Sequence, residues 1–224
     1  MRVAVNGAAG AMGRQVIGAV ARSGDCQLVA ALERSDHPDL GKDAGLLAGV
    51  GPLGVALSAE LAGEPDVLVD FSAPESAVSR ARQCAARGVA LVIGTTGLSD
   101  QQTAVIEQEA AARVPVLVAP NMSLGVNLLF QLAEQAALAL GGGFDVEIVE
   151  AHHRRKKDAP SGTAMELSRR LCAALGRDAD SDVRHGRRGA VGPRAPEEIG
   201  IHAVRGGDIV GDHTVIFAGE GERL

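Results

Sequence analysis

Two histidines and four Arg or Lys side chains fill six consecutive positions, His152 to Lys157, in a chain whose formal net charge is -6. Just behind them Asp158-Ala-Pro160 breaks the chain, and Ser161-Gly-Thr163 opens a pattern that reads as a helix from Ala164 to Leu175. The first turn of a helix offers backbone N–H groups without intrahelical partners and the positive end of the macrodipole, so it can seat a carboxylate or phosphate. Imidazole and ammonium groups beside such a seat can exchange protons with its occupant. A charge run alone is ordinarily a solvated loop. Here paired histidines, a proline break and a Ser-Gly-Thr helix start converge on one spot, which points to a site for a small anionic substrate.

A second constellation lies at the N-terminus. Arg2 to Asn6 is a short apolar run that reads as a strand, and Arg14 to Ser23 has helical character, closed by Gly24. Between them Gly7, Gly10 and Gly13 follow the spacing G-x-x-G-x-x-G, one step from the usual G-x-G-x-x-G. Glycine permits the tight turn and lets a pyrophosphate approach the backbone at the helix start. In a chain holding 29 glycines, three prove little; their place between strand and helix, with Glu33 closing the next strand at Gln27 to Leu32, is what indicates dinucleotide binding.

These sites require a frame. Pro65 to Phe71 reads as a buried strand, Pro74 to Arg87 as a helix with proline at its tolerated first position, and Val89 to Ile93 as a strand running into Gly94-Thr-Thr-Gly97. A helix over Asp100 to Arg113 and a strand over Val114 to Val118 follow, ending in Ala119-Pro-Asn-Met-Ser123. The alternation predicts an α/β fold, a Rossmann-type doubly wound parallel sheet over residues 1–121, with ligands at the carboxyl ends of its strands. Over residues 122–224 the pattern changes to a second, mixed α+β domain. It has a long helix to about Leu140, a strand from Phe144 to Ala151, the basic loop and its helix, a mobile loop from Gly176 to Pro196, and strands over Ile199 to Val204 and Ile209 to Phe217.

Composition excludes other classes. At 224 residues and 46% apolar content the chain can bury real cores, as one large or two small domains. Apolar stretches such as Val114 to Ala119 are broken by proline or charge before bilayer length, so no transmembrane helix and no membrane partner are expected. No signal peptide is read in Met1-Arg-Val-Ala-Val, which makes a cytoplasmic location the expectation. Cys26, Cys84 and Cys172 are odd in number and far apart, which predicts buried free thiols. A pI of about 5.5 with 2% aromatic residues offers neither a broad basic face nor a stacking platform, so nucleic acid is not the partner.

With these motifs assembled, the chain resembles the dihydrodipicolinate reductase family over its whole length. Gly7-Ala-Ala-Gly-Ala-Met-Gly13 resembles the family's nucleotide loop and Ala31-Leu-Glu-Arg34 its adenosine-ribose site. Val92-Ile-Gly-Thr-Thr-Gly97 and Ala119-Pro-Asn-Met-Ser-Leu-Gly-Val-Asn127 resemble its nicotinamide-side turns. Glu150-Ala-His-His-Arg-Arg-Lys-Lys-Asp-Ala-Pro-Ser-Gly-Thr-Ala164 is similar to its signature, far more specific than the glycine loop, and Arg205 to His213 to a second segment. The resemblance implies reduction of the small cyclic dicarboxylate 4-hydroxy-tetrahydrodipicolinate to tetrahydrodipicolinate, using NADH or NADPH, in lysine and diaminopimelate biosynthesis. It implies that Gly7, Ala8, Ala9, Gly10, Ala11, Met12, Gly13, Glu33 and Arg34 bind the nucleotide, and Gly94, Thr95, Thr96, Ala119, Pro120, Asn121 and Met122 the nicotinamide side. His153, Ser161, Gly162 and Thr163 would hold substrate carboxylates, and His152 with Lys156 would manage the proton; family spacing picks Lys156, leaving Lys157 solvated. A homotetramer built through the second domain's sheet is implied in the same way. Two departures stand out: Ala11 occupies a place where many relatives carry Arg near the 2′-phosphate, and the family pattern continues past Gly219-Glu-Gly-Glu-Arg-Leu224 into a C-terminal segment.

Other readings are open. Adjacent His152 and His153 point to opposite faces of a strand, and no cysteine or carboxylate pair completes a coordination set, so no metal is expected. Another Rossmann-type reductase, such as an aldehyde dehydrogenase, would need a reactive thiolate that Cys26, Cys84 and Cys172 are poorly placed to supply. A nucleotide-binding redox sensor without turnover is the non-enzyme alternative. His37, His185 and His202 read as structural or exposed, and His213 carries only a weak family hint.

Overall fold

The computed structural model describes residues 1–224, in two compact units, Met1–Ala119 and Pro120–Leu224. In the first unit, strands β1 (Arg2–Asn6), β2 (Gln27–Leu32), β3 (Leu57–Ser58), β4 (Val67–Asp70), β5 (Ala90–Ile93) and β6 (Val116–Val118) alternate with α1 (Ala11–Arg22), α2 (Ala44–Ala48), α3 (Pro74–Arg87) and α4 (Asp100–Val105). All pairings are parallel and the order is β3-β2-β1-β4-β5-β6, the doubly wound arrangement, with its reversal between β1 and β4. Both faces are covered: Val3, Val5 and Leu28 pack with Ile17 and Val20 of α1, while Ala4, Leu68 and Leu91 pack with Ala77, Ala81 and Cys84 of α3. Burial on both sides explains why these strands are continuous apolar runs.

Three local departures from the predicted elements have physical causes. The helix expected through Arg113 continues from α4 as a π turn over Ile106–Ala111, whose wider winding places Ile106 and Ala110 in the core. The strand expected from Val114 begins at Val116, because Pro115 has no N–H to give a ladder. The short α2 and β3, not foreseen, are organised by Asp43, whose carboxylate accepts N–H bonds from Gly45, Leu46, Leu53 and Gly54.

In the second unit, α5 (Leu124–Leu140), β7 (Asp145–His152), α6 (Gly162–Leu175), β8 (Val183–His185), β9 (Ile199–Arg205), β10 (Asp212–Gly219) and β11 (Glu222–Arg223) form a mixed sheet of order β11-β10-β7-β9-β8. β7, β9 and β8 run parallel, and β10 is antiparallel to β7. Phe130, Ala133 and Ala137 of α5 and Leu167 and Leu171 of α6 bury Val146, Ile148, Ile199, Ile201 and Phe217 on one sheet face. The stretch from Gly176 to Pro196, expected to be a mobile loop, contains the edge strand β8, too short to show a period. The last long strand starts at Asp212 rather than Ile209, since residues 206–211 turn tightly, with Gly207 at φ 46° and Val210 fully outside.

α5 also corrects the reading of apolar stretches. The helical run Leu124–Gly143 is long and apolar enough to cross a membrane by length and composition alone. Its apolar residues encircle much of the helix: Phe130, Ala133 and Ala137 face the core, while Leu124, Leu128, Leu132 and Leu138 are exposed. Glu134 interrupts it and pairs with Arg170 of α6 at 3.5 Å.

Candidate active site

At the end of β1 the chain turns through Gly7 to Gly10, and Gly10 caps α1 with no side-chain bond, leaving the helix's first N–H groups without a side-chain partner. Gly7 holds φ 72°, and a Cβ there would overlap the Phe71 carbonyl oxygen; a Cβ on Gly13 would overlap the carbonyl of Gly7. Only glycine lets loop and helix approach this closely. A cleft of about 310 Å³ opens here, lined among others by Gly7, Gly10, Glu33, Arg34, Phe71 and Ser72. Ala8 is buried in the core, so only its backbone could serve a ligand. The Glu33 carboxylate accepts the N–H groups of Ala9 and Arg34, both at 3.2 Å. Arg34 is exposed and meets only Asp36, at 3.3 Å, while Ala11 and Met12 lie exposed in the first turn of α1.

Beside the cleft lies a buried polar network that sequence reading missed. Asp70, fully buried at the end of β4, accepts from Asn6 Nδ2 at 2.6 Å and Ser72 Oγ at 2.9 Å, and the Thr95 hydroxyl donates to it. Thr95 Oγ1 in turn accepts the Ser72 N–H at 2.9 Å. Thr95 is therefore turned inward, and its side chain serves the loop ends rather than a ligand. Thr96 is exposed, and Gly94 leaves room for the Phe71 ring, which any Cβ there would overlap.

In the second unit Asn121 is likewise committed: Nδ2 donates to Thr163 Oγ1 at 3.1 Å, and Oδ1 accepts the Ser123 N–H at 2.9 Å. Ala119 extends the end of β6 by donating its N–H to Ile93, and Pro120 and Met122 are exposed.

The basic segment begins where β7 ends. Glu150 and His152, two apart on a strand, share a face, and Glu150 Oε2 lies 2.6 Å from His152 Nδ1. Pairing of β7 with β9 brings Arg205 opposite His152, and its guanidinium grips both Glu150 oxygens at 2.7 Å. The third partner is the Ser161 N–H, at 2.9 Å from Oε1. Burial would raise the Glu150 pKa, but the bonds from Arg205, His152 and Ser161 hold it down at about 2. Pairing of β7 with β10 sets His213 opposite Glu150, with its Nε2 at 2.9 Å from Ser161 Oγ. Burial and the neighbouring His152 push the His213 pKa down.

The seat at the start of α6 thus differs from the expected one in a specific way. Ser161 is buried, its N–H is taken by Glu150, and its hydroxyl caps Ala164 at 3.2 Å while meeting His213. What remains for a ligand is the backbone of Gly162 and Thr163 and the hydroxyl hydrogen of Thr163, whose oxygen already accepts from Asn121. His153 Nδ1 is buried without a partner, a donor or acceptor in want of a ligand. Lys156 is mostly covered, its ammonium 2.8 Å from Asp158, whereas Arg154, Arg155 and Lys157 are exposed. Glu150 and Arg205 were missed as individual groups; a period-2 reading back from His152 would have found the first.

The remaining candidates fall into structural roles. Cys84 is buried, its thiol pushed up to about 11 by burial, and Cys172 is raised by the same cause, so neither is a ready thiolate. His37 accepts the Asp39 N–H, His202 pairs with Glu147 at 2.8 Å, and His185 is exposed.

A doubly wound parallel sheet with a glycine loop between β1 and α1 defines the class: a nicotinamide-dependent oxidoreductase. Residues 1–122 match the family model of the dihydrodipicolinate reductase N-terminus and residues 125–224 that of its C-terminus, and the chain belongs to this family. It is 51% identical to the 4-hydroxy-tetrahydrodipicolinate reductase of Anaeromyxobacter sp. (strain Fw109-5), covering 100% of this chain and 84% of that protein. With the enzyme of the same name from Syntrophotalea carbinolica it shares 50%, over 100% and 85%. Among solved structures it is similar to dipicolinate-bound dihydrodipicolinate reductase from Paenisporosarcina sp. TG-14, at TM-score 0.73 and 30% identity, covering 100% of this chain and 85% of that one.

Proposed function

We propose that this NAD(P)H-dependent oxidoreductase reduces 4-hydroxy-tetrahydrodipicolinate to tetrahydrodipicolinate, in lysine and diaminopimelate biosynthesis in the cytoplasm, with the basic segment and the start of α6 as its substrate site. The observation that carries the reading is one buried carboxylate, Glu150, bonded to both the His152 ring and the Ser161 N–H, which joins a proton-exchanging imidazole to an anion seat. Overall a hydride replaces the substrate hydroxyl, and a proton carries that hydroxyl away as water. Bound nicotinamide supplies the hydride. Residues of this chain must bind the carboxylates and handle the proton. The Gly162 and Thr163 backbone, the Thr163 hydroxyl and the orphaned His153 Nδ1 serve the carboxylates, with Ser161 shaping the helix start. His152 and Lys156 handle the proton.

The first unit fits a dinucleotide, because the Gly7 to Gly13 turn is packed where any Cβ on Gly7 or Gly13 would collide, and the start of α1 has no side-chain cap. Its Gly7 to Gly13 backbone would take the pyrophosphate, as glycine loops do. Glu33 would exchange its bond to the Ala9 N–H for ribose hydroxyls, and exposed Arg34 would meet a 2′-phosphate. Having both groups supports use of NADH and of NADPH. On the first unit Gly94, Thr95, Thr96 and Ala119 would serve the nicotinamide, Thr95 through its backbone, and on the second Pro120, Asn121 and Met122 would, Asn121 through its backbone.

The test is an assay that generates the substrate in place and follows nicotinamide oxidation. Wild type should turn over and be inhibited competitively by pyridine-2,6-dicarboxylate. Thr163→Val, which removes a hydroxyl donor to a charged group, should bind that dicarboxylate about ten- to a hundredfold more weakly. Folded protein giving no signal with either cofactor would sink the reading, and equal binding by the variant would remove Thr163 from the seat.

A homotetramer is part of the same proposal. The exposed Leu124, Leu128, Leu132 and Leu138 of α5 support assembly, since a soluble monomer rarely leaves such a row uncovered. Sedimentation velocity should show a single species of four chains; a monomer would overturn it.

A further inference from the structure

Glu150 is completely buried, with no surface open to a substrate or cofactor. A buried ion pair such as Glu150 with Arg205 loses much of its attraction to desolvation and is weak as a stabilising device. Its arrangement shows another use. The ionised carboxylate can only accept hydrogen bonds. Its bond to His152 Nδ1 at 2.6 Å therefore requires the proton to sit on Nδ1. In a neutral ring Nε2 is then the bare nitrogen, so the proton that comes and goes does so at Nε2.

The surroundings fix the ring as well. The His213 ring meets that of His152 edge-on, with centroids 5.2 Å apart at 75°. A Cβ at Gly211 would lie 3.0 Å from His152 Nε2, so glycine keeps the approach to that atom open. On the far side of the carboxylate, Arg205 holds both oxygens and also donates to the Asp158 carbonyl at 2.8 Å, which stops Glu150 from turning. The charged or titratable groups clustered here are Glu150 on the same strand, Arg205 on β9, Asp212 and His213 on β10, and Lys156 with Asp158 from the loop.

We propose that Glu150 is the positioning residue of this site: it sets the tautomer and orientation of His152, presents Nε2 to the substrate, and ties that ring to the start of α6 through Ser161. The idea rests on His152 as the proton-handling group of the proposed reduction. Loss of the carboxylate frees the ring to rotate and to place its proton on either nitrogen, and a misplacement of about 1 Å can cost about a hundredfold in rate.

The experiment compares wild type with Glu150→Gln and Glu150→Asp. Nitrogen-15 NMR of labelled histidine reads the tautomer of His152, and steady-state kinetics reads kcat and KM. Wild type should show the Nδ1–H tautomer. Glu150→Gln should show mixed tautomers and kcat reduced about a hundredfold with little change in KM. Glu150→Asp, which keeps a carboxylate that can only accept, should keep the Nδ1–H tautomer and recover part of kcat. An Nε2–H tautomer in wild type, a folded Gln variant with wild-type tautomer and kcat, or an Asp variant that behaves as Gln would each overturn the proposal. If the Gln variant does not fold, the wild-type tautomer decides. Wild type that shows the Nδ1–H tautomer but no turnover would sink the substrate reading while leaving the Glu150–His152 relation intact.

Discussion

Lys156→Ala is expected to turn over substrate about 10²- to 10⁴-fold more slowly than wild type, the usual contribution of general acid–base catalysis, while binding NADH and NADPH as before. The ammonium is mostly covered and its only ion-pair partner is Asp158, at 2.8 Å. Removing that half-exposed pair costs little stability, on the order of 1 kcal/mol or less, so the loss reports on chemistry. Lys156→Arg sharpens the result. Arginine keeps the positive charge but does not give up a proton at ordinary pH. If Lys156 donates the proton, the Arg variant should be nearly as slow as the Ala variant; if it only attracts the dicarboxylate, Arg should restore most of the rate and the Ala defect should sit in KM. The measurement is kcat and KM for both variants with calorimetric titration of each cofactor. Unchanged turnover in Lys156→Ala would remove the residue from the mechanism.

The contrast between Lys156 and Glu150 marks where sequence reading reached and where it stopped. The cations from His152 to Lys157 are adjacent in the chain, so their density is visible without a fold. Glu150 and Arg205 are 55 residues apart, and their contact exists only because β7 and β9 pair in parallel with His152 opposite Arg205. Pro160, Ser161 and Gly162 mark the start of α6 in the local sequence, but not the filling of that start from another strand. A helix start attracts carboxylates, and part of this one is already occupied by the chain's own Glu150.

The frame follows the same logic. β1, β2 and α3 begin and end where the apolar runs, Pro74 and Gly88 place them, because strands buried on both faces and a helix with clear punctuation carry their limits in local sequence. The short α2, β3, β8 and β11 span too few residues for any period to register. Their positions depend on partners elsewhere, such as Asp43 gathering the N–H groups of Leu53 and Gly54. Asp70 and Asn6 escaped notice for a related reason. Each sits at the end of a predicted strand, and only the adjacency of β1 and β4 turns them into one buried network.

The glycine loop yields the second large effect, and the three glycines should not respond alike. Gly13 lies inside α1 with the Gly7 carbonyl against its Cα, so a Cβ would overlap that oxygen and the Ala8 backbone. Backbone cannot step aside as a side chain can. Gly13→Val should therefore lose about 1–3 kcal/mol or more of stability, as overpacked cores do, and should displace the start of α1 from the loop. Each N–H that no longer reaches a pyrophosphate oxygen removes about 1.5–3 kcal/mol, so the variant should bind NADH and NADPH at least about ten- to a hundredfold more weakly. Gly10 differs. Its φ of -70° suits any residue, and a Cβ there would meet only the Gly7 oxygen, at 3.1 Å. Gly10→Val should fold with nearly wild-type stability and still bind both cofactors poorly, since its methyl groups would stand in the cleft that Gly10 lines. Thermal unfolding and calorimetric titration of the two variants separate these outcomes. A Gly13→Val protein as stable as wild type would show that the loop and helix are not packed as described, and a Gly10→Val protein with wild-type affinity would place the dinucleotide away from this loop.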